Sequence, residues 1–139
     1  MKVITYTDGG SRGNPGPAAS GIYVATEKGK ELTKFGTYLG EKTNNFAEYT
    51  AIIEALSWIV DHRDELQEEL TAVECRMDSQ LAMRQLSGIY KVKHPQIIPL
   101  FDSVRTLQRA LAVPFVFVHV PREQNTIADG QVNHALDNR

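Results

Sequence analysis

Two aspartates of this sequence directly follow stretches that favour β-strands. Asp8 comes after Lys2–Thr7, and Asp78 comes after the alternating apolar residues of Val73–Met77. If these strands are parallel neighbours, both carboxylates lie at the carboxyl edge of one sheet, where open α/β sheets bind their ligands. Each aspartate taken alone also fits an ordinary structural role, Asp8 as a turn residue before glycine and Asp78 as a helix N-cap.

Two more carboxylates lie on the inward faces of predicted helices. Glu48 is at the centre of a stripe of apolar residues that recur at helical spacing, namely Ala51, Ile52, Ala55, Leu56 and Ile59. Asp129 shares a helical face with Val132 and Leu136. Both acids need a partner, because an unpaired buried charge is costly. A capping box between Asn45 and Glu48 would supply one locally, and a helix N-terminus would favour Asp129.

The four carboxylates together predict a metal site for phosphodiester chemistry. Clustered carboxylates cannot all stay ionised without cations, and ligands that are all oxygen suit Mg²⁺ or Mn²⁺. Two such ions about 3.5–4 Å apart can activate a water and stabilise the leaving oxygen of a phosphodiester. We therefore expect Asp8, Glu48, Asp78 and Asp129 to hold two Mg²⁺ or Mn²⁺ ions when a substrate is bound.

The elements that must position these acids form an α/β pattern. Three strands come first and favour an antiparallel meander: Lys2–Thr7, Ala19–Ala25 and Glu31–Leu39, with residues 8–17 as one glycine-rich loop. Then helices and strands alternate: a helix Asn45–His62, a strand Val73–Met77, a short helix over residues 79–87, a helix Pro95–Ala112, a strand Pro114–Val120 and a helix Asn125–Asn138. The sequence thus predicts a five-stranded mixed sheet, with three antiparallel strands first, later strands parallel, and helices on both faces.

Three details of this pattern set further expectations. The nearly continuous apolar run of Pro114–Val120 is typical of a strand covered on both faces. The acidic stretch Asp61–Leu70 is interpreted as a solvated helix end and connection. Gly130 lies inside the last predicted helix, where a glycine costs about 1 kcal/mol relative to alanine.

Composition limits the class of protein. A chain of 139 residues fits one domain, which we place over residues 1–139. Its 15 basic and 17 acidic residues give a net charge of −2, which argues against binding nucleic acid mainly through bulk positive charge. The single cysteine, Cys75, cannot form an internal disulfide. No signal peptide and no apolar run of about 18 residues is present, so we expect a cytoplasmic protein without membrane contact.

Four motifs carry the acids. They are Tyr6–Pro17 (YTDGGSRGNPGP), Thr43–Ile53 (TNNFAEYTAII), Met77–Leu81 (MDSQL) and Val118–Asp129 (VHVPREQNTIAD). In this order and spacing they resemble type 1 ribonuclease H over essentially the whole chain. The resemblance implies an endoribonuclease that cleaves the RNA strand of RNA–DNA hybrids by two-metal hydrolysis and leaves 5′-phosphate and 3′-hydroxyl ends. It implies the same four catalytic acids, Asp8, Glu48, Asp78 and Asp129.

The resemblance also implies a set of substrate contacts. Five residues match positions that touch the hybrid in the family: Asn14, Thr43, Asn44, Asn45 and Gln80. Asn14 with Thr43 resembles the pocket for a phosphate of the DNA strand, and uncharged amides can read 2′-hydroxyls in a minor groove. The glycines Gly9, Gly10 and Gly13 would let the RNA backbone approach closely. Turn chemistry, or helix capping for Asn44 and Asn45, is the competing interpretation. Double-stranded RNA is a further candidate partner, and we expect a monomer.

Two segments depart from the pattern of many relatives. Ser87–Leu100 replaces a basic, tryptophan-rich helix and leaves only Tyr90, Lys91 and Lys93 as candidate contacts to the DNA strand, so we expect weak hybrid affinity.

The loop Pro121–Thr126 is short, as in the compact subgroup of the family, and lacks the histidine that many relatives place before the last acid. His119 lies within a predicted strand and is interpreted as structural. Arg122 is a candidate to contact the scissile phosphate instead, although a permanent cation cannot act as a general base.

Other functions remain open at this point. A Holliday-junction resolvase, integrase or transposase would share the fold and cluster acids on the same sheet, and activity on plain duplex DNA would favour it. A non-catalytic hybrid-binding module is disfavoured because all four acids are present. A nucleotide-binding protein or a serine hydrolase is weaker, because the glycine spacing fits no phosphate loop and no G-x-S-x-G is present.

Overall fold

The glycine-rich segment after the first predicted strand belongs to the sheet. In the computed structural model, which describes residues 1–139, β1 runs Lys2–Ser11 and β2 runs Gly16–Thr26. Asp8, Gly9, Gly10 and Ser11 pair antiparallel with Gly21, Ser20, Ala19 and Ala18, in that order. The prediction of one loop over residues 8–17 was therefore wrong. These glycines are extended strand residues on which helices pack, and only residues 12–15 turn.

The remaining elements follow the predicted order with shifted ends. They are β3 (Glu31–Lys42), α1 (Asn44–His62), β4 (Ala72–Met77), α2 (Gln80–Leu86), α3 (Ile98–Leu111), β5 (Phe115–His119) and α4 (Thr126–Asp137), with short 3₁₀ turns at Arg63–Glu65 and Arg122–Gln124. The end of β1 moves furthest, from Thr7 to Ser11, and β2 and β3 each extend by three residues toward the segments that join them to β1 and α1. The start of α3 also moves, from Pro95 to Ile98. In the acidic stretch Asp61–Leu70, residues 61–69 are largely exposed, as expected, but Leu70 is buried in the core.

The sheet has the predicted mixed topology. Its strand order is β3-β2-β1-β4-β5, with the first three antiparallel and with β4 and β5 parallel to β1. The parallel pairing of β1 with β4 ends at Thr7 and Met77. Asp8 and Asp78 are thus the next residues after this last pair, and the register brings both aspartates to one edge of the sheet.

The fifth strand differs from its prediction, because it lies at the edge of the sheet. Phe115 and Phe117 pack against the core, but Val116 is 55% exposed. The strand is therefore not covered on both faces. Its continuous apolar sequence could not reveal this, because an apolar residue on the outer face of an edge strand looks the same in the sequence as a buried one.

Helices cover both faces of the sheet, as predicted. A Cβ atom added at Gly9 would meet α1, whereas one at Gly10 would point at Val132 of α4. Successive strand residues point to opposite faces, so α1 and α4 lie on opposite sides. The main core lies between the sheet, α1 and α3, around Tyr49, Ile52 and Leu56. No helix has the length and apolar character needed to cross a membrane.

Gly130 can be replaced without a steric penalty, because a Cβ atom there would have no neighbour within 4 Å. We expect Gly130→Ala to raise the free energy of unfolding by about 1 kcal/mol through helix propensity, which corresponds to a melting temperature about 4 °C higher. Thermal unfolding followed by circular dichroism measures this change. An unchanged or lower melting temperature would show that the glycine has a role that the helix geometry does not explain.

Candidate active site

Asp8 lies within β1, so the interpretation of this residue as a turn aspartate was wrong. Directly opposite strand residues share a face, and the partner of Asp8, Gly21, faces α4. Asp8 therefore points toward the helix that carries Asp129. Its Oδ1 accepts a hydrogen bond from the N–H of Gly9 at 2.9 Å.

Glu48 is brought to the same place by close packing of α1 on β1. A Cβ atom at Gly9 would lie 2.2 Å from the backbone nitrogen of Glu48, so only glycine allows this approach. The helix is capped by Thr43, whose Oγ1 accepts from the N–H of Phe46 at 3.2 Å. Asn45 is thus not the cap, and the capping box with Glu48 does not form. Oε2 of Glu48 is buried without a hydrogen-bond partner, which leaves it available to an ion or a substrate.

Asp78 lies between the end of β4 and the start of α2. The N-cap of α2 is Ser79, whose Oγ accepts from the N–H of Ala82 at 3.1 Å. The alternative of an N-cap role for Asp78 was therefore wrong, and its carboxylate is free to line the cavity beside Asp8.

Asp129 lies in the first turn of α4, as predicted. Asn125 positions this turn: it is 1% exposed, and its Nδ2 donates to the backbone oxygen of Thr7 at 2.9 Å. The N–H of Asp129 in turn donates to the backbone oxygen of Asn125 at 3.1 Å. Two hydrogen bonds thus connect the residue before Asp8 to the residue that carries the fourth carboxylate.

The four acids line one open cavity of about 410 Å³. Four other predicted site residues line it too: Gly9, Gly10, Asn44 and Arg122. Its wall includes further polar residues that the sequence analysis did not single out: Ser11, Arg12, Ser79 and Asn133. Ser79 was detectable as a possible cap in MDSQL, but nothing in the sequence pattern distinguishes Arg12 or Asn133 from ordinary surface residues.

The cavity is electrostatically unfavourable for bare carboxylates. Burial raises the pKa of Asp8 to about 8, with further increases from Asp78 and from Asp129, which lies within hydrogen-bonding reach. Burial also raises the pKa of Glu48 to about 7, Asp78 adds to the shift, and a hydrogen bond with Ser79 opposes it. A cation placed among these oxygens would stabilise the ionised carboxylates and so lower both pKa values.

The candidate ligands suit a hard cation that keeps some of its bound water molecules. All four candidate ligands offer carboxylate oxygens, and Oε2 of Glu48 has no other partner. No three acidic, histidine or cysteine side chains are close enough to hold an ion by themselves. Mg²⁺ characteristically binds one or two carboxylates together with waters and substrate phosphates, so a phosphate in the cavity would complete the coordination.

The other predicted substrate residues lie outside the cavity lining: Gly13, Asn14, Thr43, Asn45, Gln80, Tyr90, Lys91 and Lys93. Asn14 is next to it, because its Oδ1 accepts from the N–H of Asn44 at 3.1 Å. Gly13 has a φ of +101°, a conformation that suits glycine in the turn between β1 and β2. Gln80 is the exposed first residue of α2. Tyr90, Lys91 and Lys93 are exposed on the segment between α2 and α3.

Arg122 is an exposed cation at the edge of the cavity. None of the five ion pairs of the structure includes it, so its guanidinium is available to an anionic ligand. His119 is the last residue of β5 and does not line the cavity, in agreement with its interpretation as a structural residue.

Replacing Asn125 should loosen the link between Asp8 and Asp129. Asn125→Ala leaves the buried oxygen of Thr7 without its donor, which costs about 2 kcal/mol of unfolding free energy. We also expect kcat to fall while KM stays nearly constant, because the displaced group is a carboxylate of the cavity. Urea unfolding and steady-state kinetics measure the two effects. The exposed neighbour Gln124 supplies the control Gln124→Ala, which should change stability by less than about 0.5 kcal/mol. Equal behaviour of both variants would contradict this role.

Comparisons with known proteins agree on one family. Residues 6–135 match the family model described as "Reverse transcriptase-like". The chain is 40% identical over 141 residues to a bifunctional protein of Mycobacterium tuberculosis, with 99% of this chain and 36% of that protein covered. It is 38% identical over 139 residues to the ribonuclease HI of Halobacterium salinarum, with 98% of this chain and 65% of that protein covered. The chain thus spans between about a third and two thirds of these relatives.

Solved structures show the same fold. The crystal structure of LC11 ribonuclease H1 in complex with an RNA/DNA hybrid superposes with a TM-score of 0.90 at 45% identity, covering 98% of this chain and 97% of that one. Ribonuclease H1 of Halobacterium salinarum gives a TM-score of 0.90 at 37% identity, with 100% of both chains covered.

Proposed function

The chain belongs to the ribonuclease H family, and from this premise we propose that it is an endoribonuclease that hydrolyses the RNA strand of RNA–DNA hybrids. Residues 1–139 would form one catalytic domain. The observation that carries the proposal is the convergence of Asp8, Glu48, Asp78 and Asp129 on one cavity from β1, α1, the connection between β4 and α2, and α4. A solved relative at 45% identity holds an RNA/DNA hybrid, which supports the same substrate for this chain.

The four carboxylates would hold two Mg²⁺ or Mn²⁺ ions when the hybrid is bound. Such ions supply an activated water and stabilise the leaving oxygen in phosphodiester hydrolysis. Within the chain, Asp8 and Asp78 would be the ligands from the sheet edge, and Glu48 and Asp129 would approach from α1 and α4 on opposite faces. The buried, unpartnered Oε2 of Glu48 is the feature that an ion or its water would satisfy.

Hydrolysis would break the bond between phosphorus and the 3′ oxygen of the RNA. The oxygen of water bonds to phosphorus, and the 3′ oxygen leaves and takes a proton, so the products carry a 5′-phosphate and a 3′-hydroxyl. Arg122 would contact the scissile phosphate, since its guanidinium has no ion pair and lines the cavity. Because arginine stays protonated, it would stabilise charge there but would not move the proton.

Selection of RNA would involve Asn44 and its neighbours. Oδ1 of Asn44 accepts from the N–H of Ser11 at 2.8 Å, which fixes the amide in the cavity wall. Its Nδ2 has no partner within the protein, and this donor is available to a 2′-hydroxyl of the RNA strand. Gly9, Gly10, Gly13, Asn45 and Gln80 would be further contacts to the hybrid.

The DNA strand would lie along a second surface. Asn14 and Thr43 lie together beside the start of α1 and would bind a phosphate of the DNA strand. Tyr90, Lys91 and Lys93 would add only a small number of contacts, which agrees with weak binding through few salt-sensitive contacts. We propose that the protein works as a monomer in the cytoplasm and that double-stranded RNA is a secondary substrate.

A substrate panel tests this function. Purified protein is incubated with an end-labelled RNA–DNA hybrid, an RNA duplex or a DNA duplex, each with Mg²⁺, Mn²⁺ or EDTA. We expect cutting of the RNA strand of the hybrid with either metal and no cutting in EDTA. A 5′-phosphate on the products is shown if a kinase can label their 5′ ends only after phosphatase treatment. Cutting of duplex DNA would favour a resolvase, integrase or transposase. Binding without cutting would favour a hybrid-binding module.

A further inference from the structure

Arg12 is a second cation in the wall of the cavity. It lies at the turn between β1 and β2, and one of its guanidinium nitrogens is 2.7 Å from Oδ1 of Asp137. The arginine side chain is 45% exposed and the aspartate side chain 62% exposed. Exposed ion pairs of this kind contribute little to stability, so the pair is easily exchanged for another partner.

The backbone around Arg12 is held firmly. The N–H of Arg12 donates to the backbone oxygen of Pro17 at 2.8 Å. On one side, the N–H of Ser11 donates to Asn44, and on the other, Asn14 accepts from the N–H of Asn44. The turn is thus tied to the start of α1, and the guanidinium can move while the backbone of Arg12 stays fixed in the wall of the cavity.

Asp137 has an unusual position for an acid. It is the last residue of α4, where the negative end of the helix dipole disfavours a carboxylate. Its one ion pair is the contact to Arg12. An acid that opposes the helix dipole and pairs only with a cavity arginine is better explained by its effect on that arginine than by helix stability.

The two cavity arginines lie near opposite ends of α4. Arg122 comes shortly before the helix, while Arg12 meets its last residue. Asp129 and Asp137 are separated by eight residues, or about 12 Å along the helix axis. With its guanidinium on Asp137, Arg12 therefore lies about two helical turns along α4 from Asp129. In this position it would meet a phosphate farther along the nucleic-acid backbone than the phosphate at the acids.

We propose that Arg12 binds a backbone phosphate of the hybrid away from the cleavage point, and that Asp137 competes with this phosphate for the guanidinium. This inference rests on the proposed function. The planar guanidinium suits bidentate contact with phosphate oxygens. When the hybrid binds, the phosphate replaces the carboxylate of Asp137, so the aspartate sets how strongly this contact contributes to affinity.

The two partners of the ion pair should have opposite effects on hybrid binding. Affinity is measured by fluorescence anisotropy in Mg²⁺ at several salt concentrations, with the cutting-deficient variant Asp78→Asn as the parent. Adding Arg12→Gln should weaken binding about threefold to tenfold and reduce the salt slope by about 1, as expected for a lost phosphate contact. Adding Asp137→Asn should tighten binding about twofold to threefold and leave that slope intact.

Two controls separate this contact from changes in net charge. Glu68→Gln removes an exposed acid that lines no part of the cavity, and Arg109→Gln removes an exposed arginine on α3. Both should change affinity less than the Arg12 and Asp137 variants. Weaker binding by Asp137→Asn, or no change with Arg12→Gln, would overturn the inference, because the ion pair would then only fasten the turn to α4. Cleavage by the unmodified protein in parallel reports the proposed function separately.

Discussion

Asp8→Asn is expected to abolish cutting of the hybrid and, in the absence of divalent cations, to raise the melting temperature. The activity should fall by roughly a thousandfold, because a candidate metal ligand and its charge are lost from the reacting centre. The stability should rise because the amide removes a carboxylate that is partly buried beside Asp78 and Asp129. Initial rates on a labelled hybrid and thermal unfolding in EDTA measure the two effects.

The same carboxylate predicts how stability depends on pH. The pKa of Asp8 is raised from its usual 3.8 to about 8 in the folded chain, so the folded state binds the proton more tightly than the unfolded state. The stability of the metal-free protein should therefore fall as the pH rises through this range. Glu48, with its pKa raised to about 7, acts in the same direction. Glu74 has a lowered pKa, so its contribution to stability has the opposite pH dependence: it is lost only as the pH falls to about 4.5 and below.

The matched comparison uses an acid outside the cavity. Asp102 is exposed on α3, and Asp102→Asn should leave both cutting and the pH dependence of the melting temperature unchanged. In EDTA, the parent should lose stability between pH 5 and pH 8, and Asp8→Asn should show a smaller loss. Mg²⁺ should stabilise the parent more than the variant. A pH profile identical in parent and variant would mean that Asp8 is well solvated and carries no unfavourable charge.

The sequence allowed the order of the elements and the inward faces of Glu48 and Asp129 to be predicted, because both depend on local periodicity. The helical stripe around Glu48 and the strand before Asp78 needed no knowledge of distant contacts. The segment after Asp8 needed such knowledge. Its glycines favour a turn locally, but the packing of α1 and α4 against β1 and β2 keeps them in the sheet. Tertiary packing thus overrode a local preference.

The residues that position the site were harder to find than the acids. Asn125 begins the last predicted helix and is easily interpreted as a cap, but its side chain bonds to Thr7, which is 118 residues away. Arg12 meets Asp137 across an even longer separation. Neither contact has a periodic signature, because it depends on how α4 crosses the sheet. Sequence patterns therefore identified the groups suited to chemistry, while the structure was needed to identify the groups that hold them in place.

Gly9→Ala should have the largest effect on the fold among single substitutions in the cavity wall. The added Cβ atom would lie 2.2 Å from backbone atoms of Ala47 and Glu48, so α1 must move away from β1. Overpacking of this kind costs about 3 kcal/mol, and the movement displaces Glu48 from the other acids. We expect a lower midpoint of urea unfolding together with a large loss of cutting. This result would assign Gly9 to helix packing, rather than to the approach of the RNA backbone.

Gly10→Ala separates these two roles of glycine at the neighbouring position. A Cβ atom there would lie 3.7 Å from Cγ1 of Val132, an ordinary contact, so the fold should tolerate it. If the RNA backbone approaches Gly10, this variant should raise KM while its unfolding midpoint stays the same. Normal stability of Gly9→Ala would contradict the packing role. Normal KM of Gly10→Ala would contradict close approach of the substrate at this position, and the packing of α1 on β1 would then require a glycine only at position 9.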